Sequence, residues 1–282
     1  MNPVAMLRWR GVADAHRLAH PLLRQALQQA DLLCMQEVWL TEAVALFDGL
    51  DHPHKIRDEI AGSWRSLTLS GSGLGLASRL PLAQAEIRPF AARGWGADRF
   101  ARKGTVHARV RLADAPGREL DLITTHLQAE VGRRARAVRA RQLRELRQLV
   151  DALGSADRAL LLCGDLNIDG RAGSRQGEYA TLVELFAGFD DLGAVADQPT
   201  MCPEAAVNEL AHRYWAGEPL QRLDYLLFRP PRGSWLAAEG CERVLDDRLP
   251  PNGGRATFAS DHFGLRATLR LADREHDSCK GG

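Results

Sequence analysis

Apolar residues recur at helical spacing over residues 15–30, where Leu18, Leu22, Leu23, Ala26 and Leu27 share one face, and the pattern runs straight into the apolar stretch Leu32–Met35. This predicts a helix followed by a buried strand. A second strand is predicted over 74–78, after the glycine-rich turn 71–73 and before Pro81. Val106, Ala108, Val110 and Leu112 alternate with His107, Arg109 and Arg111, the period-2 pattern of a strand with one wet face, and 120–125 is its hairpin partner across Ala115-Pro116-Gly117. From Arg133 to Leu153 the period returns to 3.6, with Val138, Leu143, Leu146, Val150 and Leu153 forming a stripe and Gly154 placed to end the helix. Short strands over 160–163, 223–228 and 265–271 and a helix over 178–187 complete the pattern. Strands with helices between and outside them indicate one layered α/β domain over 1–272; residues 273–282 lack periodicity and are expected to be a disordered tail.

Composition narrows the class. The 282 residues are 45% hydrophobic and 26% charged, with Lys+Arg 37 against Asp+Glu 36 and a net charge of +1. That balance excludes a generally basic nucleic-acid coat and an acidic disordered chain. No apolar run approaches the roughly 20 residues of a spanning helix. Cys34, Cys163, Cys202, Cys241 and Cys279 are odd in number and widely spaced, which suggests neither a disulfide framework nor a zinc site. The start MNPVAMLRWRG lacks the layout of a secretory leader, so the expectation is cytoplasmic, or secreted if a leader lies upstream.

Five polar clusters sit at the ends of the predicted strands: Gln36-Glu37, Thr125-His126-Leu127, Gly164-Asp165-Leu166-Asn167, Leu223-Asp224-Tyr225 and Ser260-Asp261-His262. Each alone has an ordinary explanation, such as an Asx turn for Gly-Asp-Leu-Asn or a cap for Ser-Asp-His. Their recurrence at comparable places argues for one site, because strand ends along a sheet edge are where active sites assemble. Carboxylates, histidines and an amide converging there suit a hard cation such as Mg²⁺, or another divalent ion such as Mn²⁺, together with a base for water. Metal-assisted phosphoester hydrolysis is the chemistry that fits.

The order of these clusters, with Ser78-Arg79-Leu80-Pro81 between the first two, resembles the endonuclease/exonuclease/phosphatase superfamily over nearly the whole chain. The resemblance implies a four-layered α/β sandwich, two mixed β-sheets flanked by helices as in DNase-like proteins. It implies Glu37 as the main metal ligand, joined by Asn2, although only one residue precedes Asn2 where the family has a full strand. Asp165 and Asn167 resemble the pair that orients the attacking water and holds the phosphate. His262 resembles the catalytic base, Asp224 the carboxylate that fixes its tautomer, Asp261 a support for metal and ring, and His126 a donor to a phosphoryl or leaving oxygen. The residues alone leave open which histidine is acid and which base.

Further stretches resemble the neutral sphingomyelinase branch: Thr125-His126-Leu127-Gln128-Ala129-Glu130, Asp98 to Gly104 with its Lys-Gly pair, Glu178-Tyr179-Ala180 and Val207-Asn208-Glu209-Leu210-Ala211. The implied reaction is hydrolysis of a sphingomyelin-type phospholipid at a membrane surface to ceramide and phosphocholine. Lys103, one of three lysines in an arginine-rich chain, is a candidate headgroup contact, and Arg139 on the long helix resembles a family arginine and is a candidate substrate contact. Residues 133–147 hold seven arginines against one acid, Glu145: a solvated helix face, a grip on nucleic-acid phosphates, or a contact with anionic lipid. A DNase-like endonuclease is the alternative, and an inactive arginine-rich binding module on the same fold a third. Trp9, Trp39, Trp64 and Trp95 are expected to be mostly core residues, with membrane contact as the other use.

Overall fold

A computed structural model describes residues 16–58, 70–171, 177–253 and 256–272. In chain order the elements are α1 (Pro21–Leu27), β1 (Leu32–Met35), α2 (Thr41–Asp48), β2 (His54–Arg57), β3 (Gly75–Ser78), β4 (Leu82–Pro89), β5 (Gly104–Arg111), β6 (Glu119–His126), α3 (Arg133–Leu153), β7 (Ala159–Asp165), α4 (Glu178–Leu185), β8 (Asp190–Asp191), α5 (Glu209–Trp215), β9 (Asp224–Arg229), β10 (Leu236–Val244) and β11 (Gly264–Leu271). A short 3₁₀ turn, Gly96–Phe100, precedes β5. The proposed tail, Trp9, Trp64, Asn2 and Cys279 lie outside the described residues.

A six-stranded sheet runs β4-β5-β6-β7-β9-β8, and opposite it lie β1-β3-β2 and the β10-β11 ribbon. The large sheet is mixed: β6 and β7 are parallel, while β4/β5, β5/β6, β7/β9 and β8/β9 are antiparallel. Alternation along each strand builds the layers. Leu32 and Cys34 of β1 pack inward with Val106, Ala108, Leu120, Leu122 and Leu161, filling the space between the sheets. Leu33 and Met35 point the other way and pack with Leu23, Leu27, Leu46 and Phe47 of α1 and α2. On the far face of the large sheet, Leu143, Leu146 and Val150 of α3 and Leu182 of α4 cover Ile123, Leu160, Leu162 and Leu227. Burial of each such side chain contributes roughly 1.5–3 kcal/mol. The result is the four-layer sandwich, helices outside two facing sheets.

The long helix occupies the expected range and ends at Gly154, whose left-handed φ of 66° suits glycine. The first helix is shorter than its apolar stripe. Pro21 has no N–H to donate, so it opens a new helix, and the His20 side chain accepts from Leu22 N as its cap. Trp95 departs from the core expectation, being 41% exposed, and Trp39 is half-buried.

Candidate active site

Three strands end side by side. In the parallel β6/β7 register His126 lies opposite Asp165, and in the antiparallel β7/β9 register Asp165 lies opposite Asp224. The sheet therefore delivers His126, Asp165 and Asp224 in one row, since His126 and Asp165 end the parallel strands β6 and β7 while Asp224 begins the antiparallel strand β9. Gly164 makes the row possible: its φ is 134°, and a Cβ there would collide with the carbonyl oxygen of Thr125. Beyond it, Asp165 Oδ1 accepts from Asn167 N at 2.8 Å, an Asx turn with Asn167 at φ 52°. The ordinary turn and the functional cluster are thus the same object. Asn167 Nδ2 donates to Leu127 O at 3.1 Å, tying the turn to the end of β6.

His262 completes the row from another segment. Asp224 Oδ2 accepts from His262 Nδ1 at 2.9 Å, and Asp165, Asp224 and His262 offer ligand atoms that all lie within 4.8 Å of one another. The Ser260-Asp261-His262 segment is positioned by two residues that the sequence reasoning did not assign a role. Buried Asn208 caps α5 by accepting from Leu210 N and Ala211 N, and donates through Nδ2 to Ser260 O at 2.9 Å. Buried Thr200 accepts at Oγ1 from Leu223 N and Asp224 N while its carbonyl receives Phe263 N, so one residue pins both halves of the Asp224–His262 pair. Asn208 had a visible signal, an Asn immediately before Glu209 and an apolar helical run; Thr200 had none. Asp261 Oδ2 accepts from Trp215 Nε1 at 3.1 Å.

Glu37 arrives from the opposite sheet. It follows β1 with φ 60°, and its neighbour Gln36 donates to Thr124 Oγ1 at 3.2 Å across the sandwich. Among the described residues no hydrogen bond or ion pair is recorded for its carboxylate. Burial, with the charges of Asp261 and Asp165 against those of Lys103 and His262, pushes Glu37 up to about 8. Asp165 is pushed up to about 7 by burial and by Asp224. The histidines are split. Burial, Lys103 and His262 hold His126 well below its ordinary value, whereas for His262 burial is outweighed by Asp224, Asp165 and Asp261, which raise it well above. His126 Nε2 lies 3.5 Å from Asp165 Oδ2, its Nδ1 is buried without a partner among the described residues, and its ring centroid is 6.3 Å from that of Trp39.

The two expected substrate contacts are both buried and hydrogen-bonded to the chain after β6. Lys103 is 3% exposed, donates to Leu127 O at 3.0 Å and lies 3.6 Å from Asp98. Arg139, also buried, grips both oxygens of Glu178 at 2.8 and 2.9 Å and donates through Nη1 to Gln128 O and Glu130 O. Its donors are committed to holding the chain after β6. Asn2 lies outside the described residues.

A hard divalent cation fits this set. It takes oxygen ligands, and Glu37 is a carboxylate beside two other acids whose charge Lys103 and His262 only partly offset. The carboxylates and imidazole of the row are already bonded to one another or to backbone, which suits proton handling.

The chain's residues 12–262 match the model of the Endonuclease/Exonuclease/phosphatase family. Sphingomyelin phosphodiesterase 5 of Danio rerio is 32% identical over 208 residues, covering 62% of this chain and 37% of that protein. The chain thus spans little more than a third of that relative's length. Beta toxin of Staphylococcus aureus with bound magnesium ions superposes with a TM-score of 0.68 at 19% identity, covering 93% of this chain and 94% of that one. Danio rerio TDP2 complexed with single strand DNA product gives 0.67 at 20% identity, covering 92% and 93%. With the family's motifs gathered at one end of the sandwich and its model spanning most of the sequence, this chain belongs to the endonuclease/exonuclease/phosphatase family.

Proposed function

We propose that this protein is a divalent-metal-dependent phosphoric diester hydrolase whose substrate is a sphingomyelin-type phospholipid, cleaved by water to ceramide and phosphocholine. The observation that carries the reading is the row His126–Asp165–Asp224 with His262 bonded to Asp224 and Glu37 facing it. Asp224, a carboxylate acceptor, holds the Nδ1–H of His262 and leaves Nε2 as the atom that takes a proton from the attacking water. Asp165 and Asn167, locked to each other and to Leu127 O, orient that water and the phosphate. His126, kept neutral by burial, donates to an oxygen on which charge develops. Glu37, backed by Asp261, would hold the cation, with Asn2 as a proposed partner. Bound there, Mg²⁺ would neutralise charge on the phosphoryl oxygens. Lys103 and Arg139 act as positioning residues that fix the segment 127–130 against the row.

The lipid substrate is favoured by the Danio rerio relative, a sphingomyelin phosphodiesterase. A second reading, a nuclease, is favoured by the similar match to TDP2 with its DNA product. Both use the same residues on a phosphodiester. Hydrolysis of sphingomyelin vesicles, plasmid DNA and single-stranded DNA, each with Mg²⁺ and with chelator, separates them. Metal-dependent phosphocholine release with intact DNA is the expected result. DNA cleavage with intact lipid overturns the lipid reading, and no hydrolysis of any diester overturns the enzyme.

A further inference from the structure

The arginines at the start of α3 take no part in the catalytic row, and they adjoin two exposed apolar residues on the same rim. Val131 is 76% exposed and Trp95 41%. Arg133, Arg134 and Arg136 are exposed in the first turn of α3, and the Arg134 guanidinium lies 5.7 Å from the Trp95 ring centroid. Arg93 and Arg99 are exposed on the neighbouring segment. The acids of these two stretches are turned inward. Asp98 is buried, accepting from Ala129 N and facing Lys103, and Glu130 is half-buried, accepting from Ala97 N. The exposed charged residues of the rim over 91–100 and 129–136 are therefore all arginines, in a protein whose net charge is only +1.

We propose that this rim is a docking surface for an anionic lipid bilayer, with Trp95 and Val131 entering the interface and Arg133, Arg134 and Arg136 contacting lipid phosphates or carboxylates. Charge complementarity selects the partner, and an exposed tryptophan flanked by cations is the combination that settles at a membrane–water boundary. The rim is built to keep its shape: Trp95 N donates to Gln128 Oε1, Gln128 Nε2 returns a bond to Trp95 O, and Gln128 N donates to Gln142 Oε1 on α3. It is also joined to the chemistry, since Leu127, the residue after His126, accepts from both Lys103 and Asn167. Docking here would bring the row to the bilayer without any movement of the rim. The proposal extends the lipid reading above. Sphingomyelin itself is zwitterionic, so attraction to anionic lipid is a separate property from turnover.

The test uses the full chain in co-sedimentation with vesicles of phosphatidylcholine alone and of phosphatidylcholine mixed with phosphatidylserine, at low and high salt. The expected result is binding to the anionic vesicles that salt weakens. The combined variant Arg133→Gln, Arg134→Gln, Arg136→Gln should bind about 10²-fold more weakly, roughly fivefold per arginine. Trp95→Ala should weaken the binding that persists at high salt. Hydrolysis of bis(p-nitrophenyl) phosphate, a soluble diester that needs no surface, should be unchanged in these variants, which shows them folded and separates failure of docking from failure of the hydrolase reading. Wild-type-like vesicle binding by the triple variant, or no anionic preference in the wild type, overturns the proposal. So does loss of single-stranded DNA binding in the triple variant with vesicle binding intact, which would assign the rim to nucleic acid.

Discussion

The two ends of the large sheet each hold buried histidines and aspartates, and the contrast between them separates scaffold from site. Away from the row, His107 Nε2 lies 2.9 Å from Asp121 Oδ1, Arg109 Nε 3.2 Å from the same oxygen, and Arg158 Nε donates to Oδ2 at 2.7 Å. Burial pushes Asp121 up, but the bonds from His107 and Arg158 overcome it and hold the acid at about 2. Both oxygens of the carboxylate there have donors. At the catalytic end the acids outnumber their cations: Glu37 stands at about 8 and Asp165 at about 7, driven first by burial. The residue types are nearly the same. What differs is whether the fold closes the charge balance itself or leaves it for a ligand.

The largest expected effect is on the open end. His262→Ala, or Asp165→Asn, should reduce turnover of the diester by on the order of 10²–10⁴-fold while the protein stays folded, measured as initial rates beside thermal melts. Retention of a tenth of the wild-type rate would remove these residues from their roles. At the closed end the cost should appear as stability. Asp121→Asn leaves Arg158 and Arg109 facing a neutral group and should lower the free energy of unfolding by about 3 kcal/mol, read from urea titration, with turnover per folded molecule unchanged. If turnover fell in proportion instead, the two ends would not be independent.

A smaller effect is expected between the ends of this scale. Asn208→Ala removes the α5 cap and the bond to Ser260 O together, about 2 kcal/mol of stability, and should also lower kcat by loosening the His262 segment. The smallest is a pH signature. Glu37, Asp165 and His262 all have raised values in the folded protein, so above their unfolded values the native state holds more protons than the unfolded one, and stability falls as pH rises. His126, lowered, acts in the opposite sense, contributing stability above its unfolded value that is lost as pH falls. Metal-free protein should therefore lose melting temperature between about pH 5 and pH 8. Mg²⁺ should restore more at pH 8 than at pH 5, and Glu37→Gln should flatten the slope by about 1 kcal/mol, or about 2–4 °C. Equal Mg²⁺ stabilisation at both pH values would remove Glu37 from the metal site.

Much of this was legible in the chain because function here follows periodicity. β7 is a continuous apolar run up to Gly164, so the acid that ends it stands out, and the alternation of β5 points to its hairpin partner β6. The long helix was readable to its ends from its leucine stripe and Gly154. Elements with weaker signals were not. β10, Leu236–Val244, carries a bulge between Ala238 and Cys241 that breaks its alternation, β4 lies at the sheet edge, mostly exposed and with its register shifted between Leu82 and Gln84, and α2 has only eight residues to show a period. Site residues were found by type, but their commitments were not. Lys103 and Arg139 stand out as cations in one dimension, and only the fold shows their partners, Leu127 O and Asp98 for the first and Glu178 for the second.

The carbonyl of Leu127 has a consequence for how this protein tolerates change. Two side chains of the site, Lys103 and Asn167, converge on that one oxygen. A main-chain atom is present whatever amino acid the codon specifies. Position 127 can therefore drift among apolar residues that fill the same buried space while the hub it supplies stays constant, whereas the two side chains that reach it have no such latitude. In a library of substitutions across 103, 127 and 167, the apolar replacements at 127 should be the survivors.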